Sequence, residues 1–266
     1  MTNLLYAKLE QKIKNQRAVK IITGLDNFSI DSIIKIVKAA EIGKASYVDI
    51  ASNPQIVRIV KSITKLPICV SSIDPKELYN CAIQGADIVE IGNFDKFYNK
   101  KIFFSSLEIL NLAQETKNLI PNKPICMTIP HTLLLKEQIS LAISLKKLGI
   151  SMFQTEGLAT KNRMHYNNVT ILNSMKSSAS TLSSTYILSE NINIPIIASS
   201  GINCLSASVA VSYGASIVGI GSAVYNYNTI YDMAKYIYEI VSSISANKSL
   251  NNIHLNYINN INYVFS

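Results

Sequence analysis

The chain has 266 residues, of which 48% are hydrophobic and 16% are charged. This balance excludes a disordered chain and allows a large buried core. No apolar run reaches the roughly 18 to 20 residues that a membrane span requires, so we expect a soluble protein without a membrane partner. The N-terminus has no apolar block before a cleavage site and carries Glu10 with a single Arg, which argues against a transit peptide.

The net charge of +8 would suit a nucleic-acid partner, but the amino-acid composition of the chain favours another origin of this charge. The basic residues are almost all Lys, and Asn, Ile and Tyr are abundant while Trp is absent. These abundant residues have A/T-rich codons, so a biased genome explains them. Only residues 96–101 cluster lysines with aromatic residues, and we predict no nucleic-acid binding.

The cysteines and histidines indicate neither a disulfide framework nor a metal site. The four cysteines lack CxxC spacing, and we expect reduced thiols. The three histidines lie far apart without paired-ligand spacing, so no metal is predicted.

Strand and helix patterns alternate along the chain after a helical segment at residues 1–17, which we expect to cap one end of the barrel predicted below. Short apolar runs typical of buried parallel strands occur at 19–24, 47–52, 67–72, 87–92, 124–129, 152–157, 195–200 and 216–221. Segments of helical period separate them. Eight such units predict a single-domain (β/α)8 TIM barrel over 18–245, with an open doubly wound sheet as the alternative. We expect residues 246–266 to form a peripheral helix or a frayed tail.

Four glycines come shortly before predicted strands, where a helix ends. We expect Gly43, Gly85, Gly149 and Gly214 to adopt the left-handed backbone that ends many helices.

Two segments resemble each other. Residues 66–93 align with residues 194–222 with a single gap, which falls opposite Gly201. The third and fourth predicted strands thus match the seventh and eighth, as two related half-barrels would, although parallel barrel strands also converge on such patterns.

The second copy of the repeat is richer in small residues. Small residues at the ends of the last two strands let backbone N–H groups approach a ligand, and a phosphate commonly binds there in a barrel. The alternative is that the glycines only form tight turns. The predicted phosphate-binding residues are Ser199, Ser200, Gly201, Gly221 and Ser222.

Charged residues at strand positions are few, and they are the catalytic candidates. Lys20 beside Asp49 and Glu90 would balance buried charge and would suit proton abstraction or Schiff-base chemistry at a lysine of lowered pKa. An inert ion-pair network is the alternative. Glu156 ends the sixth predicted strand, and His131 follows the fifth, where it could act as an acid or base or simply be exposed.

The polar segment after the sixth predicted strand carries Lys161, Arg163 and His165. It is either a lid that closes over an anion or a simple surface loop.

Several specific motifs lie between about residues 18 and 240: "VKIITGLDNF", "YVDIASNPQIV", "LPICVSSIDP", "GADIVEIGNFDKFY", "IPHTLLLKEQ", "FQTEG" and "IPIIASSGINCLSA" with "GIGSAV". The chain resembles the hypothetical chloroplast reading frame 23 family of red-algal plastids and cyanobacteria. This resemblance implies a phosphate-binding TIM barrel, encoded in the plastid and working in the stroma. Members commonly have a second glycine after "QTEG", where this chain has Leu158.

Together these features predict a barrel that binds a phosphorylated small molecule and acts as a lyase, aldolase or isomerase. A non-catalytic sensor of a metabolite or a protein partner is the alternative from another class. No cofactor is predicted, although flavin mononucleotide, which similar barrels hold by its phosphate, stays open, as does homo-oligomerisation.

Overall fold

Eight parallel strands close into a barrel in the computed structural model, which describes residues 2–92, 94–98, 100–157 and 171–245. Each strand pairs with the next one along the chain, and the last pairs with the first. The strands are β1 (Ala18–Ile22), β2 (Tyr47–Ala51), β3 (Ile68–Ser72), β4 (Ile88–Ile91), β5 (Ile125–Ile129), β6 (Met152–Thr155), β7 (Ile196–Ala198) and β8 (Ile217–Ile220). The predicted (β/α)8 barrel is confirmed.

One helix precedes the first strand, and the others follow strands and cover the outside of the barrel. The helices are α1 (Thr2–Lys14), α2 (Ile30–Ile42), α3 (Pro54–Ile63), α4 (Pro75–Ile83), α5 (Asp95–Tyr98), α6 (Ser106–Leu119), α7 (Leu135–Lys147), α8 (Ile171–Asn191), α9 (Ala207–Ser212) and α10 (230–245). Local sequence starts several of them: Asn53 and Asp74 accept hydrogen bonds from first-turn N–H groups, and Pro54 and Pro75 follow at the first helical position. Within the described ranges, every helix is too short or too polar to cross a membrane.

The strands near the predicted site end earlier than the apolar pattern suggests. β6 and β7 each stop two residues before the predicted end, at Thr155 and Ala198. The two residues that follow each strand leave the ladder and turn into loops at the C-terminal end of the barrel. Polar side chains predicted on strands therefore lie in loops.

The prediction of four left-handed glycines is correct at three positions and wrong at Gly43. Gly85, Gly149 and Gly214 have φ of +111°, +88° and +93°, whereas Gly43 has φ of −73°. A Cβ at Gly43 would lie 2.7 Å from the side chain of Ile237 on α10. Close packing between two helix regions, and not a left-handed turn, requires this glycine.

The barrel interior is layered from apolar to polar. Alternate residues of a strand point inward, and those nearest the N-terminal end form a buried apolar cluster that also includes Leu9 of α1. Burying such a side chain contributes about 1.5 to 3 kcal/mol. The next inward positions along the strands are polar, and they include Lys20, Asp49 and Glu90. The larger apolar core lies between the sheet and the surrounding helices.

Candidate functional site

A cavity of about 270 Å³ opens at the C-terminal ends of β6, β7, β8 and β1. The end of a barrel at which the strands terminate is where ligands bind in this architecture. All five predicted phosphate-binding residues line this one cavity: Ser199, Ser200, Gly201, Gly221 and Ser222.

The loop after β7 has an unusual backbone. Ser200 has φ of +82° and Gly201 has φ of +71°, so two consecutive residues are in the left-handed region. A non-glycine residue with positive φ is uncommon, and such strain concentrates at ligand sites. The loop after β7 therefore brings an uncommon backbone conformation to the cavity.

Hydroxyl groups of α8 bind the carbonyl groups of this loop. Thr181 Oγ1 donates to the carbonyl oxygen of Ser199 at 3.1 Å and to that of Ser200 at 2.7 Å. Ser177 Oγ donates to the carbonyl oxygen of Gly201 at 3.2 Å. These contacts fix the orientation of three successive peptide planes.

The orientation of those planes determines where the N–H groups point. The peptide bonds are trans, and in a trans peptide the C=O and the following N–H point in opposite directions. The N–H groups of Ser200, Gly201 and Ile202 therefore point away from α8, toward the cavity that these residues line. Successive backbone N–H groups of a turn can form an anion-binding concavity.

The close approach of the loop to α8 also requires a glycine at position 201. A Cβ built there would lie 1.9 Å from the carbonyl oxygen of Ser177, on the backbone of α8. Sequence reasoning identified Gly201 but missed Thr181 and Ser177. The available signal was the run of Ser and Thr at spacings of three and four along residues 174–185.

Small residues at the end of β8 keep the other side of the cavity open. A Cβ at Gly219 would lie 2.8 Å from Ser199 Oγ and would crowd the interior. At Gly221 it would lie 3.6 Å from Ile22, which is an ordinary contact distance. The space at Gly221 is therefore available to a ligand.

Lys20, Asp49 and Glu90 meet in the barrel interior, as the sequence suggested. Lys20 Nζ lies 2.7 Å from Asp49 Oδ2 and 2.6 Å from Glu90 Oε2, and all three residues are fully buried. Gln154 accepts a hydrogen bond from Lys20 Nζ at 2.9 Å and donates one to Glu90 Oε1 at 2.6 Å. Thr128 Oγ1 also donates to Glu90 Oε1, at 3.1 Å.

This network lies beneath the cavity rather than in it. Gln154 and Thr128 line the cavity floor, whereas the lysine and the two acids do not line it. Burial alone would lower the pKa of Lys20, but the charges of Asp49 and Glu90 raise it well above its usual value. The structure therefore does not support the Schiff-base lysine of lowered pKa considered above.

The same network accounts for the acidic cluster in the interior. Ligand atoms of Asp49, Cys69 and Glu90 lie within 4.8 Å of one another, a spacing that could hold a metal ion. The ammonium group of Lys20 already contacts both carboxylates at ion-pair distance. Burial raises the pKa of Asp49 and of the Cys69 thiol, which further disfavours the deprotonated ligands that a metal requires.

Glu156 forms a second polar group, at the cavity wall. Its Oε1 accepts hydrogen bonds from the hydroxyl of Tyr98 and from the backbone N–H of His131 at 3.3 Å. His131 Nδ1 lies 3.3 Å from the same oxygen, and the rings of Tyr98 and His131 meet edge to face at 5.1 Å. His131 is thus a partner of Glu156, with only 13% of its side chain exposed. Tyr98 was not predicted, because no local pattern connects α5 to the end of β6.

Several predicted residues fall outside the described ranges. They are the lid candidates Lys161, Arg163 and His165, together with Leu158 and the tail at 246–266. Among the residues that the structure does describe, none of those lining the cavity is basic. A ligand anion there would be bound by backbone N–H groups and hydroxyls.

Solved structures with the same fold are numerous. Thiamine phosphate pyrophosphorylase from Pyrococcus furiosus aligns with a TM-score of 0.59 and 16% identity, over 88% of this chain and 98% of that one. 3-Hexulose-6-phosphate synthase from Salmonella typhimurium gives 0.61 and 13%, over 86% and 99%. Orotidine 5′-phosphate decarboxylase from Pyrococcus horikoshii gives 0.56 and 18%, over 84% and 99%. At these identities the likeness establishes the fold alone.

Sequence relatives are much closer. The protein ycf23 of Antithamnion sp. is 47% identical over 249 residues, which cover 91% of this chain and 90% of the relative. Ycf23 of Porphyra purpurea is 43% identical over 246 residues, covering 92% and 91%. The family described as "Protein of unknown function (DUF561)" matches residues 2–250. The chain belongs to this DUF561 family and is homologous to the ycf23 proteins, and the resemblance seen in its sequence motifs is confirmed.

Proposed function

We propose that this protein binds a phosphorylated small metabolite in the cavity at the ends of β6, β7, β8 and β1, and that it acts on it as a lyase, aldolase or isomerase. The observation that carries the proposal is the loop after β7. Its carbonyl groups are bound to Thr181 and Ser177, so that three successive N–H groups point into the cavity. Charge-assisted hydrogen bonds from such N–H groups suit phosphate oxygens.

The structural neighbours support the same ligand class. They are named for thiamine phosphate, 3-hexulose-6-phosphate and orotidine 5′-phosphate. We also propose that the protein works in the plastid stroma, since the name ycf23 denotes a plastid reading frame. Detection of the protein in the stroma of isolated plastids tests the location.

Binding is tested with inorganic phosphate and a panel of phosphate esters, by thermal shift and titration calorimetry. A ligand at a hundred times its Kd stabilises the protein by about 2.7 kcal/mol. We expect at least one ester to bind. The absence of a shift with every phosphate compound at millimolar concentration would refute the proposal.

Thr181→Val tests the observation itself. The variant loses the donor that fixes the peptide planes of Ser199 and Ser200, and we expect phosphate affinity to fall about tenfold, or about 1.4 kcal/mol. Thr181→Ser keeps the donor and should restore most of the affinity. The matched control is Thr116→Val, because Thr116 is a buried helical threonine on α6 whose hydroxyl bonds only within its helix. It should leave phosphate affinity unchanged.

A metabolite sensor is the second candidate, favoured by the burial of the Lys20 network. A lysine and two acids that are fully buried and bonded to one another do not touch a ligand in the cavity. A protein that binds a phosphate ester but converts none of them, followed by ³¹P NMR, would support the sensor. Flavin mononucleotide is tested by the colour of the purified protein and by its addition to the apo form.

A further inference from the structure

Glu156 is the feature that phosphate binding leaves unexplained. Among the described residues that line the cavity, it is the only acidic or basic side chain. A carboxylate in the same small cavity as a phosphate repels it, and partial burial strengthens this repulsion because the local dielectric is low. A site that only binds phosphate would be better without Glu156.

The contacts of Glu156 leave one of its oxygens for a ligand. Within the described ranges, Tyr98 and His131 both contact Oε1. The carboxylate is therefore held at Oε1, and no described residue forms a hydrogen bond with Oε2. Its side chain is 12% exposed, which fits a group that faces a cavity and not open solvent.

The loop that carries Glu156 is connected to the proposed phosphate site. Ser200 Oγ donates a hydrogen bond to the carbonyl oxygen of Gly157 at 3.0 Å, and Gly157 directly follows Glu156. A Cβ at Gly157 would lie 2.6 Å from the hydroxyls of both Ser180 and Thr181 on α8. The same helix thus positions the loops after β6 and β7.

The other acids of the barrel lack such an oxygen. Both oxygens of Glu90 are bonded, to Lys20 on one side and to Thr128 and Gln154 on the other. Both oxygens of Asp49 accept from Ser71, at 2.9 and 3.0 Å, and Oδ2 also contacts Lys20. Glu156 is the acid that is both anchored and in contact with the cavity.

We infer that Glu156 is the catalytic base for proton transfer next to the carbonyl group of a phosphorylated aldehyde or ketone, an inference that rests on the proposed phosphate site. Glu156 Oε2 takes a proton from the carbon beside the carbonyl, and the C–H electron pair forms the double bond of an enediolate. The carbonyl oxygen accepts the negative charge. Glu156 then returns the proton to the same carbon, or, where that carbon carries a hydroxyl group, to the neighbouring carbon while the hydroxyl proton moves to the former carbonyl oxygen. The step consumes no oxidant, reductant or co-reactant. Tyr98 and His131 are positioning residues that hold the carboxylate.

The test follows carbon-bound hydrogen exchange in D₂O. The full chain is incubated with phosphorylated aldehydes and ketones of three to six carbons, beginning with dihydroxyacetone phosphate, and ¹H NMR records the loss of C–H signal. We expect exchange with at least one compound. Glu156→Gln should slow it by about 10² to 10⁴, the usual contribution of a general base, while inorganic phosphate should bind as tightly as before or more tightly.

Further variants keep the test decisive. Glu156→Asp retains the charge but withdraws it by one methylene, and we expect an intermediate rate. His131→Asn should lower the rate and shift its pH profile, which a purely structural role would not do. Glu77→Gln is the matched control, since Glu77 lies in the first turn of α4, outside the cavity, and accepts a hydrogen bond from Ser72 Oγ at 2.6 Å. Its exchange rate should equal that of the wild type.

The two proposals fail in different ways. If phosphate esters bind but the wild type exchanges no compound, or if Glu156→Gln exchanges at the wild-type rate, the role of Glu156 is overturned and the phosphate site stands. If no phosphate compound binds at all, the proposed function itself fails.

Discussion

The two related segments of this barrel have similar backbones, but one borders a part of the interior that side chains fill and the other borders a part that is left open. Glu90 of β4 aligns with Gly219 of β8, and the two occupy corresponding inward positions. Glu90 fills its side of the interior with a charged network, whereas Gly219 leaves room and lines the cavity. One substitution in the repeat thus separates a filled half from an open half.

The C-terminal ends of the matching strands β3 and β7 differ in the same way: one is filled and the other is open. Ser71 of the first segment donates to Asp49 and belongs to the filled interior. Its counterpart Ser199 lines the cavity, and the inserted Gly201 directly follows Ser200. The inserted glycine lets the loop approach α8 while its N–H groups point inward. The comparison suggests that a ligand site arises where a half-barrel loses bulk and gains backbone freedom.

The largest expected effect comes from breaking the filled half. Lys20→Met leaves two buried carboxylates without a counter-charge, and we expect a loss of about 3 to 5 kcal/mol in the free energy of unfolding. Urea denaturation at neutral pH measures it. Lys61→Met is the control, because Lys61 is 40% exposed in its 2.8 Å pair with Asp87 and should cost less than about 1 kcal/mol. Equal losses in both variants would mean that the buried network adds no particular stability.

Most of the fold followed from the sequence because local features encode it. Apolar runs marked the eight strands, and helical periods with glycines marked the connections. Gly43 was misread because its requirement comes from Ile237, almost two hundred residues away. Burial and distant packing are invisible in a local pattern.

The candidate site was only partly predictable for the same reason. Small residues at the ends of the last two strands indicated where backbone could approach a ligand, and these residues do line one cavity. The hydrogen bonds from Thr181 to the loop after β7 could not be read from spacing. Nor could the meeting of Tyr98 with Glu156, since each partner belongs to a different unit of the barrel.

A smaller effect is expected from adding a methyl group in the open half. Gly201→Ala combines left-handed strain with a clash at the backbone of α8, 1.9 Å away. Gly149→Ala is the matched control: its φ of +88° imposes similar strain of about 1 to 2 kcal/mol, but its Cβ would meet only Lys117, at 3.8 Å. We expect Gly201→Ala to cost about 1 to 3 kcal/mol more than the control and to lose phosphate binding.

Denaturation curves and phosphate titrations of the two glycine variants separate strain from ligand contact. If both variants lose equal stability and both still bind phosphate, the loop after β7 is only a turn. That outcome would remove the distinction between the two halves at this loop.

The smallest effect sharpens the account of the filled half and concerns the hydroxyl of Tyr47. Together with that of Thr23, it is one of two buried hydroxyls without a hydrogen-bond partner in the described ranges. Tyr47→Phe removes this group, and because a buried unsatisfied hydroxyl costs free energy, we expect a gain of up to about 1 kcal/mol in the free energy of unfolding at neutral pH.

Burial raises the pKa of Tyr47 well above its usual value, even though Lys20 lowers it in part. The folded protein therefore keeps this proton above about pH 10, where the unfolded chain releases it. Stability that the wild type has below pH 10 is lost as the pH rises, by up to about 1.4 kcal/mol per pH unit for one proton. Tyr47→Phe should decline less steeply, as measured by urea denaturation between pH 9 and 11. Tyr231→Phe, at a residue that is 76% exposed, should stay within about 0.5 kcal/mol of the wild type at neutral pH. A loss of 1 kcal/mol or more in Tyr47→Phe would show that its hydroxyl is bonded after all.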